Sequence, residues 1–279
     1  MSALPAAGKL YIRLDATAPA GAPQIAFAHP PTEPGGPFAY TPCTVTPGAA
    51  LAVSLRHALS RKLDEHAAAT EAEVIICGPA TVVPLAEFQE NDADTYYHYL
   101  FHPATGGPER VFYDSLPAAA GAVLLFAAGT EICRTLEQML AAVHYTSAHT
   151  ALIRHYARRG AEKASPRLFI NLQGPRLCAY AFNGQSLLHM GAYTAPTAAD
   201  AVYFCLSLSA ALWPQASATP EGGLYITGGT ADAREALSNE LRRYTSAPVF
   251  ASSPVAEYRR HPVTRLNGVP YDLLTALLS

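Results

Sequence analysis

The stretch Lys9-Leu10-Tyr11-Ile12-Arg13-Leu14 has a counterpart later in the chain, Arg167-Leu168-Phe169-Ile170-Asn171-Leu172, with every apolar position kept. Each copy is a compact run of Leu, Ile and aromatic residues and reads as a buried β-strand. The segments C-terminal to each copy extend the likeness. After the first come strands over 24–29 and 38–45, separated by a Pro- and Gly-rich turn at 30–37. A helix over 49–69 comes next, with Leu51, Leu55, Leu59 and Leu63 at helical spacing and Arg56, Arg61, Lys62, Asp64 and Glu65 on the other face. A strand over 73–77 closes at Gly78-Pro79. After the second copy comes a hairpin, 177–182 and 185–190 around Asn183-Gly184, because a type I′ turn needs two residues at positive φ. A helix over 197–213 is capped by Thr197 with Asp200 at the N3 position. Then come a strand at 223–227, the Gly228-Gly229 turn, a helix over 231–244 and a strand at 248–252. Both halves share the order meander, helix, strand, helix, strand.

Between them the pattern predicts a helix over 90–101, strands at 110–113 and 122–127, a helix over 130–142 capped by Thr130, and a helix over 149–159. The polar, Pro-terminated run at 158–166 marks the boundary, which divides the chain into 1–160 and 161–279. The tail at 272–278 is an apolar turn or two that should dock on the body.

Composition fits a chain of 279 residues with an ordinary core. Half the residues are hydrophobic and 15% are charged, which excludes a disordered chain. A net charge of −3 offers no long-range attraction for nucleic acid or anionic lipid. The five cysteines are odd in number and form no CxxC pair, so they read as reduced thiols in a cytoplasmic protein. Charged residues Lys9, Arg13 and Asp15 arrive before a signal-peptide core develops, and the weakly polar stretches at 116–130 and 201–213 are too short to span a bilayer.

The run of strand, tight turn, hairpin and helix, then a strand ending in Thr227-Gly228-Gly229 before another helix, resembles the second half of actin-like ATPases over 168–229. More narrowly, Leu168-Phe169-Ile170-Asn171-Leu172, Ala181-Phe182-Asn183-Gly184, Asp200-Ala201-Val202-Tyr203-Phe204 and Leu224-Tyr225-Ile226-Thr227-Gly228 resemble a bacterial family known as domain of unknown function 3822. Stretches at 10–27 and 81–99 resemble it too. The resemblance implies an α/β fold of two related halves with ribonuclease H-like, actin-like ATPase topology, mixed β-sheets flanked by helices. It implies no established activity.

An actin-like ATPase holds nucleotide between its halves. Each half presents a β-hairpin whose turn carries an aspartate followed by glycine; the glycine admits phosphate to backbone N–H groups, and the aspartates organise Mg²⁺ and water. Here the hydrophobic register puts Arg13 at the first acidic position and Asp15 at the glycine. A shifted register puts Asp15 at the acidic position and Thr17 at the glycine. In the second hairpin Asn171 replaces the aspartate and Gln173 the glycine, with Gly174 adjacent. Thr227-Gly228-Gly229-Thr230 fits its expected form. Mg²⁺ is usually held through one or two carboxylates plus phosphate oxygens, a field that an Arg and an Asn do not supply. A neutral amide can still meet a phosphate.

Other motifs add little. His144, His149 and His155 are spaced five and six apart and share no helical face, so no metal site is read there. Tyr96, Tyr97, His98, Tyr99 and His102 read as a helix packed on a core. The pairs of arginines at 158–159, 242–243 and 259–260 read as solvated helix ends, so nucleic acid is not an expected partner. There is no GxSxG, no P-loop and no GxGxxG. The expectation is therefore a cytoplasmic, non-catalytic actin-like protein that works through an unidentified protein partner, with no membrane anchor, no catalytic residue, no metal and no cofactor. The alternative is a weak binder of ATP with magnesium, or a divergent phosphotransferase, using Thr17, Asn171, Gly174, Gly228 and Gly229 in the cleft.

Overall fold

The structure is a computed structural model and describes residues 9–18, 24–31, 36, 38–45, 48–65, 71–102, 107–160, 165–214, 220–253, 257–258, 261–266 and 268–278. The expected boundary run lies partly outside these, as do the end of the first expected helix and Arg259 and Arg260.

The first sheet has strand order β3-β2-β1-β4-β8, from Ala39–Cys43, Ile25–His29, Lys9–Asp15, Glu71–Cys77 and Ala142–Ser147. The second has order β11-β10-β9-β12-β13, from Ser186–Thr194, Arg176–Asn183, Pro166–Gln173, Leu224–Gly228 and Val249–Ala251. In each, the first three strands form an antiparallel meander and the last two run parallel to the centre. The repeated strands β1 and β9 thus hold the same central place in their sheets. A third, antiparallel sheet, β5-β7-β6, is inserted between β4 and the helix over Thr130–Met139. It comprises Ala80–Pro84, Ala122–Gly129 and Glu109–Ser115.

Among the described residues the helices are α1 Leu51–Glu65, α2 Ala93–Leu100, α3 Thr130–Met139, α4 Ala148–Gly160, α5 Ala198–Leu212, α6 Ala231–Leu241 and α7 Tyr271–Leu277. Strand alternation decides where each packs. Leu10, Ile12 and Leu14 of β1 face α1 and α3 through Leu55, Leu59, Cys133 and Leu136. Tyr11 on the opposite face meets α7 through Leu273, Leu274 and Leu277. In the second sheet Leu168 and Ile170 face α5 and α6, while Phe169 stacks on Tyr156 of α4, ring centroids 4.3 Å apart. The layers therefore run α1/α3, first sheet, α4/α7, second sheet, α5/α6. The expected terminal helix docks as anticipated, and it does so on the first sheet.

Several local expectations are corrected. Helix α3 stops at Met139 because Leu140 is extended, φ −125 and ψ 144. The segment it was expected to enter is β8, whose Val143, Tyr145 and Thr146 suit a strand pairing with β4. Thr130 is its first residue rather than its cap, and no side chain caps this end. The hairpin after β10 turns through Gly184 and Gln185, since Asn183 already pairs with Ser186; a bulge between Ala181 and Phe182 sets that register. Strand β5 was not legible. Residues 90–92 form a 3₁₀ turn before α2 rather than α-helix. In contrast, Thr197 and Asp200 form the capping box that opens α5.

Asp114 of β6 shows how the inserted sheet is fastened. Its buried Oδ2 accepts from Ser147 N at 2.9 Å, Thr146 Oγ1 at 2.8 Å and Thr150 Oγ1. A strand carboxylate thus caps the start of α4 from outside the helix. Asp114→Ala is expected to lower the unfolding free energy by about 1–3 kcal/mol, because three buried donors lose their acceptor; urea unfolding checks it, and an unchanged midpoint refutes the capping role.

Candidate functional site

The sheet faces that meet α4 and α7 also carry the polar ends of β1 and β9. Arg13 lies two residues beyond Tyr11 on the inward face of β1, and Asn171 two beyond Phe169 on that of β9, so the two hold matching positions. Around them lies a cleft of about 440 Å³. Thr17, Asn171, Gly174, Gly228 and Gly229, all singled out from the sequence, line this one space.

The local backbone explains why. Gly174 has φ 59 and precedes Pro175 in the two-residue turn between β9 and β10, a place where only glycine is unstrained. Gly228 and Gly229 have φ 68 and 54 and carry the chain from β12 into α6. A Cβ on Gly228 would strike Asn171 Oδ1 and come within 2.5 Å of the Leu172 carbonyl oxygen. The pair of glycines therefore lets this turn lie directly against β9.

Arg13 is 6% exposed. Its Nε and Nη2 donate to Asp272 Oδ1 and Oδ2, both at 2.9 Å, and Nη2 also donates to Asp15 Oδ2 at 3.1 Å. Burial opposes the charge on each partner. The paired charges and hydrogen bonds outweigh it, so the guanidinium is held above its ordinary range and the Asp272 carboxyl below its own. Asp272 also accepts from Leu273 N at 2.6 Å, Gln173 Nε2 at 3.2 Å and Cys77 Sγ at 3.5 Å. The remaining oxygen of Asp15 accepts from Thr17 N at 3.1 Å and Oγ1 at 2.8 Å. Arg176, from the β9–β10 hairpin, donates to Thr17 Oγ1 and ties the two hairpin loops across the cleft.

These contacts decide how the cleft fits a magnesium nucleotide. Both aspartates that line it are committed to donors of the chain itself, with an arginine between them. Among the described residues no carboxylate is left to face a hydrated Mg²⁺, so the donor set does not fit that ion. Among those residues no group of three His, Cys, Asp or Glu is placed to hold a metal.

Other candidates resolve into structure. His144 is exposed, whereas His149 and His155 are buried in separate networks. His149 Nδ1 lies 2.6 Å from Tyr180 Oη. His155 meets Tyr258 Oη at 2.7 Å and Tyr271 Oη at 3.0 Å, and the latter donates to Glu257 at 2.6 Å. Arg159 binds Glu257 and covers the Tyr225 ring, and Arg242 caps the Val249 carbonyl at 2.9 Å. Tyr97 of the aromatic run is buried in the small sheet's core. All five cysteines are unpaired. No helix among the described residues is long and apolar enough to cross a membrane.

Sequence reasoning placed Gln173 in the second hairpin and missed Arg176, Arg234 and above all Asp272. One signal was available: Asp272 is a lone acid in an otherwise apolar terminal helix, Tyr271-Asp272-Leu273-Leu274, where a charge needs a buried partner.

The fold has solved counterparts. A protein of Bacteroides thetaiotaomicron VPI-5482 with an actin-like ATPase fold and unknown function matches at TM-score 0.70 and 18% identity, over 93% of this chain and 96% of that one. The PilM-PilN type IV pilus biogenesis complex matches at TM-score 0.61 and 14% identity, over 97% of each chain. The chain thus has the actin-like ATPase fold. No curated protein matches it. Its sequence matches a family model over residues 49–247, and the chain belongs to that family, described as Protein of unknown function (DUF3822).

Proposed function

We propose that the chain is a non-catalytic member of the actin-like fold that acts by binding another protein. The observation that carries this reading is the buried Arg13, at the position that the hydrophobic register of the first hairpin assigns to the acidic residue, neutralised from within by Asp272 and Asp15. The interdomain cleft, the place of catalysis in such ATPases, is here cross-linked by side chains of the chain. A neighbour of the same fold is solved as a complex, PilM-PilN, which supports a binding role for the fold. The division at 160/161 belongs to the same reading: each part carries one of the two matching sheets.

The purified protein is expected to hydrolyse no ATP above background with Mg²⁺ or Mn²⁺. Turnover that depends on metal and disappears in Asp15→Asn would overturn the proposal and restore Asp15 as the acidic residue. Affinity capture from the native cell, with reconstitution from the purified partner, tests the binding half; a partner whose affinity survives Asp15→Asn fits it.

A second reading, a weak ligand-binding cleft, is favoured by one observation. The space around Asn171, Gly174 and the Gly228-Gly229 turn is not filled.

A further inference from the structure

Three arginines and two aspartates line the cleft: Arg13, Arg176 and Arg234, with Asp15 and Asp272. The aspartates and Arg13 form one closed buried group, so the charges left to a ligand are Arg176 and Arg234. Arg176 uses Nη1 on Thr17, and Arg234 uses Nη1 on the carbonyls of Gly228 and Gly229, at 2.7 and 2.9 Å. A guanidinium carries five N–H donors in a planar fork, so each arginine keeps donors for a further acceptor.

Asn171 supplies an independent pointer. It is 1% exposed and lines the cleft. Its one side-chain hydrogen bond among the described residues is weak, Oδ1 accepting from Thr227 Oγ1 at 3.4 Å. The amide Nδ2 has no acceptor among the described residues. An anion entering the cleft would supply one. Among the described residues the wall thus offers two cations and an amide donor, and no free carboxylate.

Resting on the ligand-binding reading of the cleft, we propose that it takes a phosphate-bearing small molecule without a divalent metal. The preference is set by the same contacts that fail a magnesium ion. A phosphate stripped of metal presents its full negative charge to Arg176 and Arg234, and arginine pairs with phosphate in a bidentate manner. Magnesium would neutralise that charge and bring a hydrated cation against a wall with no anionic ligand to receive it. The cleft's volume is of the order of ligand pockets in general.

Inorganic pyrophosphate and ATP, each titrated into the full chain in EDTA and again in excess Mg²⁺, test this by calorimetry and by thermal shift. Binding is expected in EDTA and weaker with Mg²⁺. Arg176→Gln and Arg234→Gln should each weaken the metal-free binding by about tenfold or more, with Arg176→Lys and Arg234→Lys recovering part. Circular dichroism on each variant separates lost binding from lost folding, and the wild-type titrations decide the matter even where a variant does not fold. Binding that requires Mg²⁺ would overturn the metal-free proposal and leave the ligand-binding reading standing. No binding in either condition would overturn both.

Discussion

Asp272→Ala is expected to lower the unfolding free energy by about 3–5 kcal/mol, the scale for removing one partner of a buried ion pair. Both Arg13 and Asp272 are almost wholly inside the protein, with side chains 7% and 1% exposed. The pair as formed need not add net stability, since desolvation offsets much of its attraction. Removing the carboxylate alone is different. It leaves Arg13 buried with only Asp15 nearby, and it strips acceptors from Leu273 N, Gln173 and Cys77. The contacts also set the sign with pH. Because the folded carboxyl is held below its unfolded value, its contribution is complete at neutral pH and is lost as pH falls through the folded pKa. Urea unfolding at pH 7 measures the cost. The double variant Arg13→Met, Asp272→Leu should recover part of it, because it removes the unpaired arginine but leaves Asp15 without that partner and the donors to Asp272 without their acceptor. A single-variant loss below about 1 kcal/mol, the range of an exposed pair, would sink the claim that Asp272 neutralises Arg13 inside the fold.

That pair also marks where the sequence stops being readable. The repeated strand, the alternation in β1 and β9, the capping box at Thr197 and the glycines before α6 are local signals, set by side chains within a few residues of one another. They carried the fold and brought five residues of the cleft together. Strand β8 was hidden because its six residues come directly after a helix, and its status depends on parallel pairing with β4, far off in sequence. The partner of Arg13 was hidden for the same kind of reason. Asp272 lies 259 residues away, and nothing near Arg13 announces it. Arg176 had a nearer signal, its place beside the Gly174-Pro175 turn, but its role depends on a loop from the other sheet. Local chemistry fixes the elements; the closing of the cleft is a property of the halves in contact.

The chain should also lose stability in mildly acidic solution, through His149. This residue opens α4 and reaches the second sheet, its Nδ1 2.6 Å from Tyr180 Oη of β10. Its ring is buried, and burial, with Arg176 adding to it, pulls its pKa down from 6.5 to about 4. A folded pKa below the unfolded one means that stability is complete above about 6.5 and falls as protons bind the unfolded chain first. The loss amounts to about 2 kcal/mol by pH 5 and about 3 kcal/mol once the folded ring itself is protonated. Burial alone would raise the Glu257 carboxyl, but the Tyr271 hydroxyl, the neighbouring His155 and Arg159 hold it down to about 2, so it adds its own loss at lower pH. Unfolding curves at pH 7.5 and pH 5 should therefore diverge for the wild type. They should converge by part of that difference in His149→Gln, which keeps a polar group for Tyr180 but cannot take up a proton in this range, while His155, His189 and His261, also lowered by burial, keep their share. Equal pH dependence in wild type and variant would show that the ring does not hold the buried, neutral place between the sheets assigned to it.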